Sequence, residues 1–373
     1  MVRRVRLLLL VLALLIPAEV RAAQKEERIT AKGWALIEGS SGRLLLGENE
    51  RDRLPMASTT KIMTALLVLE SGEDLDTVIT VDRQAAGTEG SSLYLKAGER
   101  MSLRDLLYGL MMKSGNDAAV AIAIHIAGSV EAFAARMNAK ATAMGLRDTH
   151  FVNPNGLHDP EHYTTAYDLA HLGAAAMERA DFRELVSTQR YTTTTGDHVR
   201  TFQTKNKVLT QVDGGCGVKT GYTKKAGRCL CFAARREGML LIGAVLNAPD
   251  MWNDAKKILD QGFTAYELHT FLVPGQGVGE ISVTGSTKKT LPAATKEGIL
   301  YPIRKDGQDE TRLDIRLLGS LAAPIEPGVP AGEAILMVNG EGVKAIPLVV
   351  EEGAEPLTFA WFFREVTERY LAS

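Results

Sequence analysis

The stretch from Pro55 to Glu70 constrains this chain more than any other, because it sets a lysine and a serine at the head of an almost wholly apolar helix. It reads Pro-Met-Ala-Ser-Thr-Thr-Lys-Ile-Met-Thr-Ala-Leu-Leu-Val-Leu-Glu, polar at first and helical after. Ser58 and Lys61 stand three apart, so on a helix both side chains share one face, one turn above the other. Ile62, Met63, Leu66, Leu67 and Leu69 leave almost no solvent face, and the helix is expected to lie in the middle of a domain. Burial disfavours an ammonium. A lysine placed there can be neutral and take a proton from the adjacent hydroxyl, which makes Ser58 a candidate nucleophile.

A chain of 373 residues with 45% hydrophobic content has room for two or three domains with real cores. Its first segment reads as a secretory signal peptide, residues 1–22. Arg3, Arg4 and Arg6 precede the apolar run Leu7 to Ile16, and Val20-Arg21-Ala22-Ala23 offers a cleavage site after Ala22 or Ala23. The run is too short for a comfortable membrane span. Its removal leaves 39 Lys+Arg against 44 Asp+Glu, a net charge of about −5, with no basic patch to suggest nucleic acid. Export would permit disulfides. With only Cys216, Cys229 and Cys231 present, one bridge from Cys216 is conceivable, and three small buried residues is the plainer reading.

Trp34–Glu38 and Arg43–Leu46 read as strands around the Gly39-Ser40-Ser41-Gly42 turn. Ser102 is placed to cap a helix running to about Met112, which Lys113-Ser114-Gly115-Asn116 interrupts. Helices are expected over Asp117–Ala127 and Val130–Met144, with Ser129 as cap and Gly145 as stop. Another starts at Thr165-Ala166-Tyr167-Asp168. Tyr191–Thr195, Lys219–Thr223, Cys229–Ala234 and Leu240–Leu246 read as strands, and Asn253 to about His269 as a closing helix. After Val273-Pro274-Gly275 the texture changes to short β-type runs broken by Gly and Pro, a small all-β module over residues 273–352. In residues 353–373, Phe359, Phe362, Phe363, Val366 and Tyr370 fall on one helical stripe, with Trp361 alongside. That pattern suits a helix lying on a membrane surface, or one docked on its own protein.

Ser-x-x-Lys alone is weak, since Ser286-Thr287-Lys288-Lys289 satisfies it in a turn with nothing buried nearby. The signal strengthens because Ser114-Gly115-Asn116 and Lys219-Thr220-Gly221 follow in order, a set associated with penicillin-binding proteins and class A β-lactamases. With these motifs, and with Pro-Met-Ala-Ser-Thr-Thr-Lys, Asn-Pro-Asn-Gly-Leu-His and Tyr-Thr-Thr-Ala-Tyr-Asp-Leu-Ala, the chain resembles a low-molecular-mass penicillin-binding protein. The family in question is that of the serine-type D-alanyl-D-alanine carboxypeptidases.

The resemblance is close over residues 28–272. It implies an α/β (α+β) fold: a β-lactamase/transpeptidase-like domain over residues 23–272, with an antiparallel sheet and helices on its faces, followed by the small β-rich domain. It also implies that Ser58 attacks the carbonyl between two D-alanines with Lys61 as general base, and that Ser114 and Asn116 relay a proton and hold Lys61 and the substrate amide. The oxyanion would be met by the N–H groups of Ser58 and Tyr222, and the terminal carboxylate by Lys219 and Thr220. Gly221 would admit the substrate backbone. Expected partners are peptidoglycan stem peptides ending in D-Ala-D-Ala, β-lactams as acylating inhibitors, and a membrane surface through the C-terminal helix, the exported protein being peripheral on the extracytoplasmic face of the bacterial cell membrane or secreted. No cofactor is implied.

One departure from the family pattern is Asp213-Gly214-Gly215-Cys216-Gly217-Val218-Lys219, where an acidic residue beside the site has moved or been lost. His158 and His162, with Asp159 and Glu161 between, suggest zinc, but Pro160 opposes the helix that would align them, and a solvated polar loop is the expectation. A transpeptidase or β-lactamase on the same scaffold, and a non-catalytic muropeptide-binding sensor, are the other readings. No dedicated deacylating carboxylate is identifiable, and a sensor would be expected to have lost Ser58 or Lys61.

Overall fold

The computed structural model describes residues 28–371 except 197, so the signal-peptide expectation lies outside the described residues. The hairpin forms as β1 (Gly33–Glu38) and β2 (Leu44–Glu48), paired antiparallel. A 3-10 turn, Ala57–Thr60, leads into α1 (Lys61–Glu70). β3 (Val78–Thr80) and β4 (Arg100–Ser102) pair outside the main sheet. α2 (Leu103–Tyr108) starts where Ser102 accepts the Asp105 N–H, and continues as a π turn, Gly109–Lys113. Then come α3 (Asn116–Ala127), α4 (Val130–Ala143), α5 (Ala166–Glu178) and α6 (Ala180–Ser187). Ser129 and Thr165 cap α4 and α5 as their sequence positions suggest.

A small hairpin of β5 (Arg190–Thr192) and β6 (Thr201–Gln203) and a short helix, α7 (Val208–Gln211), precede the strands β7 (Gly215–Thr223), β8 (Gly227–Arg236) and β9 (Met239–Leu246). The five-stranded sheet runs β2-β1-β9-β8-β7, with β7 at one edge. Its pairings are all antiparallel. Strand alternation distributes the side chains to two cores. Ile37, Cys231, Ala233 and Ile242 face the helices around α1, whereas Leu36, Leu230, Phe232 and Leu241 face α8 (Met251–Ala265). With both faces covered, the central strands read as continuous apolar runs, and all eight residues of β9 are buried.

The expected helix over Asn253–His269 ends at Ala265. Tyr266–Leu272 is instead a strand, β10, because its partner lies far ahead in the chain. β11 (Gly277–Thr284), β12 (Thr290–Thr295), β13 (Ile299–Arg304), β14 (Thr311–Leu317), β15 (Ser320–Ala322), β16 (Pro330–Val338) and β17 (Glu341–Val350) make the β-rich region. β10 pairs with β13, and the other six form a sheet ordered β14-β16-β17-β12-β11-β15 around a separate core. Tyr266 packs into the core beneath α8 and Leu272 into the C-terminal core, so β10 threads both. Arg43 reaches across to Asp309 at 2.7 Å and to the Pro302 carbonyl at 2.6 Å. The chain ends in α9 (Phe359–Leu371), whose Phe359, Phe362, Phe363, Val366 and Tyr370 are all exposed. No single helix among the described residues is long and apolar enough to cross a membrane.

Candidate active site

The 3-10 turn ahead of α1 gives the Ser-x-x-Lys spacing its geometry. Three residues per turn eclipse positions i and i+3, so Ser58 stands directly over Lys61. The Thr59 and Thr60 hydroxyls donate to the Met56 and Ala57 carbonyls and hold the turn, and Ala57 enters it with φ +49°. Lys61 is fully buried, while Ser58 is half-buried at the floor of a cleft of about 540 Å³.

Lys61 Nζ has three near neighbours: Ser58 Oγ at 3.0 Å, Asn116 Oδ1 at 2.7 Å and the Asn155 carbonyl at 2.6 Å. Burial first, and the Lys219 charge second, drive its pKa well below the ordinary lysine value. A neutral amine has two N–H donors and one lone pair. The Asn116 and Asn155 oxygens can only accept, so they take both donors and leave the lone pair for the Ser58 hydroxyl proton. Such an arrangement can serve chemically as a base acting on the adjacent hydroxyl.

Ser114 and Asn116 come from the break between the π turn and α3, where Ser114 adopts φ +61°. Asn116 is locked from behind: its Nδ2 donates to the Glu89 carbonyl at 2.5 Å and its N–H to the Ser91 carbonyl at 2.7 Å. The buried Asp117 carboxylate fixes that supporting loop by accepting from Ser92 Oγ, Leu93 N–H and Leu95 N–H. Lys219 crosses from β7, with Nζ 3.1 Å from Ser114 Oγ and 2.9 Å from the Thr220 carbonyl. Burial, then Lys205, lowers its pKa to about 7. Thr220, Gly221 and Tyr222 line the cleft along the free edge of the sheet. A Cβ on Gly221 would stand 2.9 Å from the Ser58 backbone nitrogen, so only glycine allows β7 this close to the nucleophile turn. All eight residues singled out by sequence therefore meet around one cleft.

Sequence reasoning gave no role to Asn155 or to His162. The left-handed Gly156, φ +87°, presses the Asn-Pro-Asn-Gly loop so tightly against Ala57 that a Cβ would lie 1.9 Å from its carbonyl oxygen. This brings the Asn155 carbonyl to Lys61. The glycine in that loop was the available signal. The polar-loop expectation for His162 is corrected: it is 2% exposed, because its ring plugs the space beneath Thr60. Val152 N–H donates to Nδ1, so Nε2 carries the proton and donates to Thr60 Oγ1 at 2.8 Å. Burial lowers the His162 pKa to about 4. No metal-ligand cluster occurs among the described residues.

Cys216, Cys229 and Cys231 are all free thiols. The β7–β8 register sets Cys231 opposite Lys219, three residues and roughly 10 Å along the strand from Cys216, beyond disulfide reach. Asp213 is exposed in the turn before β7, 3.5 Å from Arg236. It stands six residues before Lys219, outside the strand that carries the lysine. Lys288, inside the Ser286–Lys289 repeat of the motif, pairs with the exposed Glu352, and Lys289 is itself exposed.

Comparison with known proteins identifies the family of the chain. The profile of the D-alanyl-D-alanine carboxypeptidase family matches residues 19–250, and that of the penicillin-binding protein 5 C-terminal domain matches residues 266–355. The chain is 33% identical over 344 residues to D-alanyl-D-alanine carboxypeptidase DacF of Bacillus subtilis, covering 90% of this chain and 88% of that one. Penicillin-binding protein 5 of Haemophilus influenzae superposes with a TM-score of 0.74 at 28% identity, over 88% of this chain and 98% of that structure. The Streptomyces K15 DD-transpeptidase superposes with a TM-score of 0.60 at 36% identity, over 63% and 98%.

Proposed function

The chain belongs to the D-alanyl-D-alanine carboxypeptidase family, and from that premise we propose how its residues act and where it works. Its substrates are peptidoglycan stem peptides ending in D-Ala-D-Ala. Neutral Lys61 takes the Ser58 proton as Oγ attacks the carbonyl between the two D-alanines. The oxyanion is met by the Ser58 and Tyr222 N–H groups. Ser114 passes the proton to the departing amine, and the C–N bond breaks to release D-alanine and leave an ester on Ser58 Oγ. Water then hydrolyses the ester, restoring the hydroxyl. Lys219, still protonated, and Thr220 hold the terminal carboxylate, and the peptide lies along the β7 edge.

The observation that carries this reading is the three-way coordination of buried Lys61, whose lone pair is left for Ser58. A β-lactam fits the same cleft and acylates Ser58. The exposed aromatic stripe of α9 supports a peripheral position on the outer face of the cell membrane. An N-acyl-D-Ala-D-Ala peptide incubated with the protein is expected to yield free D-alanine. A labelled penicillin is expected to attach covalently, and Ser58→Ala to abolish both. Undiminished labelling of Ser58→Ala would rule that nucleophile out.

A further inference from the structure

The cleft over Ser58 carries charge of one sign. Lys113, Lys205, Lys207 and Arg228 line it beside Trp252, and no Asp or Glu is among its lining residues. The cations arrive from separate places: Lys113 ends the π turn, Lys205 and Lys207 lie between β6 and α7, and Arg228 sits at the start of β8. None of the four pairs with a carboxylate among the described residues. Lys205 is near enough to depress Lys219, and so belongs with the end of the cleft that takes the terminal carboxylate. Lys113, Lys207 and Arg228 exceed what one carboxylate needs. Like charges that line one cleft without carboxylate partners repel one another, although Arg228 donates to the Pro249 carbonyl, and a ligand bearing further negative charge relieves that repulsion.

We propose that the cleft selects its substrates by charge, preferring D-Ala-D-Ala peptides whose preceding residue ends in a carboxylate over those in which it ends in an ammonium. Lys113, Lys207 and Arg228 are the determinants. The inference rests on the carboxypeptidase reading, which lays the peptide along β7. One further residue of extended chain spans about 3.4 Å, which leaves a long side chain within the cationic walls. Lys207 and Arg228 are exposed and Lys113 is half-buried, so the preference comes from several partly solvated charges acting together on one side chain.

The test measures kcat/KM for release of D-alanine from acetyl-L-Glu-D-Ala-D-Ala, acetyl-L-Gln-D-Ala-D-Ala and acetyl-L-Lys-D-Ala-D-Ala with the full chain at low salt. The expected order is Glu, Gln, Lys, with about tenfold between the extremes. In about 1 M salt, where the screening length is about 3 Å, the ratio falls toward one. Lys207→Glu with Arg228→Glu is expected to bring the Glu-to-Lys ratio to one or below. Both rates come from one preparation, so any loss of folded enzyme cancels in the ratio. Equal rates on all three peptides, or a ratio indifferent to the charge reversal, overturn charge selection and leave the carboxypeptidase reading standing. No release from any of them overturns both.

Discussion

Two buried lysines close enough to feel each other's charge cannot carry the same charge state and do the same work. Lys61 is fully buried and lies against the Lys219 charge, so it surrenders its proton first. Lys219 loses its own near 7 in the unliganded protein. The proposed mechanism needs Lys61 neutral and Lys219 charged. kcat/KM is therefore expected to rise with pH as Lys61 deprotonates and to fall again as Lys219 does, a bell whose alkaline limb begins near neutrality. Lys219→Arg keeps its charge at all these pH values and is expected to lose the alkaline limb. Lys61→Arg can never be neutral and is expected to slow acylation by a labelled penicillin about 10³-fold. A flat pH profile in the parent protein would contradict this division of labour. At this scale the sequence was informative about side chains and blind to main chain. Ser58, Lys61, Asn116 and Lys219 could be singled out by their residue types and motifs, and the structure brings them to one cleft. The Asn155 carbonyl could not be, since every residue has one and only the Gly156 approach to Ala57 aims it.

At the level of elements, the site is a meeting of one helix N-terminus, one helix break and one sheet edge. Gly221 sets how closely the edge approaches. In Gly221→Ala the new Cβ would press on the Ser58 nitrogen at 2.9 Å and the Met56 carbonyl at 3.1 Å, both backbone atoms that cannot rotate away. The nucleophile and its oxyanion donors are expected to separate, and second-order acylation by a labelled penicillin to fall about 100-fold. An acylation rate unchanged by this substitution would mean that β7 does not supply the oxyanion donor. α9 makes a different claim. Its aromatic stripe is solvent-exposed, so deletion of residues 355–373 is expected to shift the protein from sedimenting with lipid vesicles to remaining in the supernatant. Helix caps at Ser102, Ser129 and Thr165 were legible because each is a local hydrogen bond. β10 was not, because its strand character depends on a partner about thirty residues downstream.

Across the whole molecule, the sheet-and-helix unit and the β-rich unit meet through β10 and through Arg43, which is bidentate on Asp309. The Arg43 hydrogen bonds first, then those from the Arg304 N–H and the Asn339 amide, hold the Asp309 pKa at about 2. A carboxylate whose pKa is depressed on folding stabilises above its unfolded value, about 3.9, and loses that contribution as pH falls through about 2. The whole depression amounts to about 2 kcal/mol, of which Arg43 supplies the largest share. Arg43→Ala is expected to lower stability at pH 6 by about 1 kcal/mol and to shrink the part of the stability decline between pH 4 and 2 that Asp309 contributes, read by denaturant unfolding. An unchanged decline would place the acid sensitivity elsewhere.

The chain's own order of residues determined the reaction chemistry, the buried nucleophile helix, the caps and the two-face apolar strands, all of which are properties of short stretches with their own periodicity or reactivity. Tertiary structure alone decided three things: which carbonyl holds the base, which histidine is buried beneath the nucleophile turn, and how four cations from distant segments come to share a cleft. Those depend on distances between stretches that are far apart along the chain, and no local pattern encodes a distance.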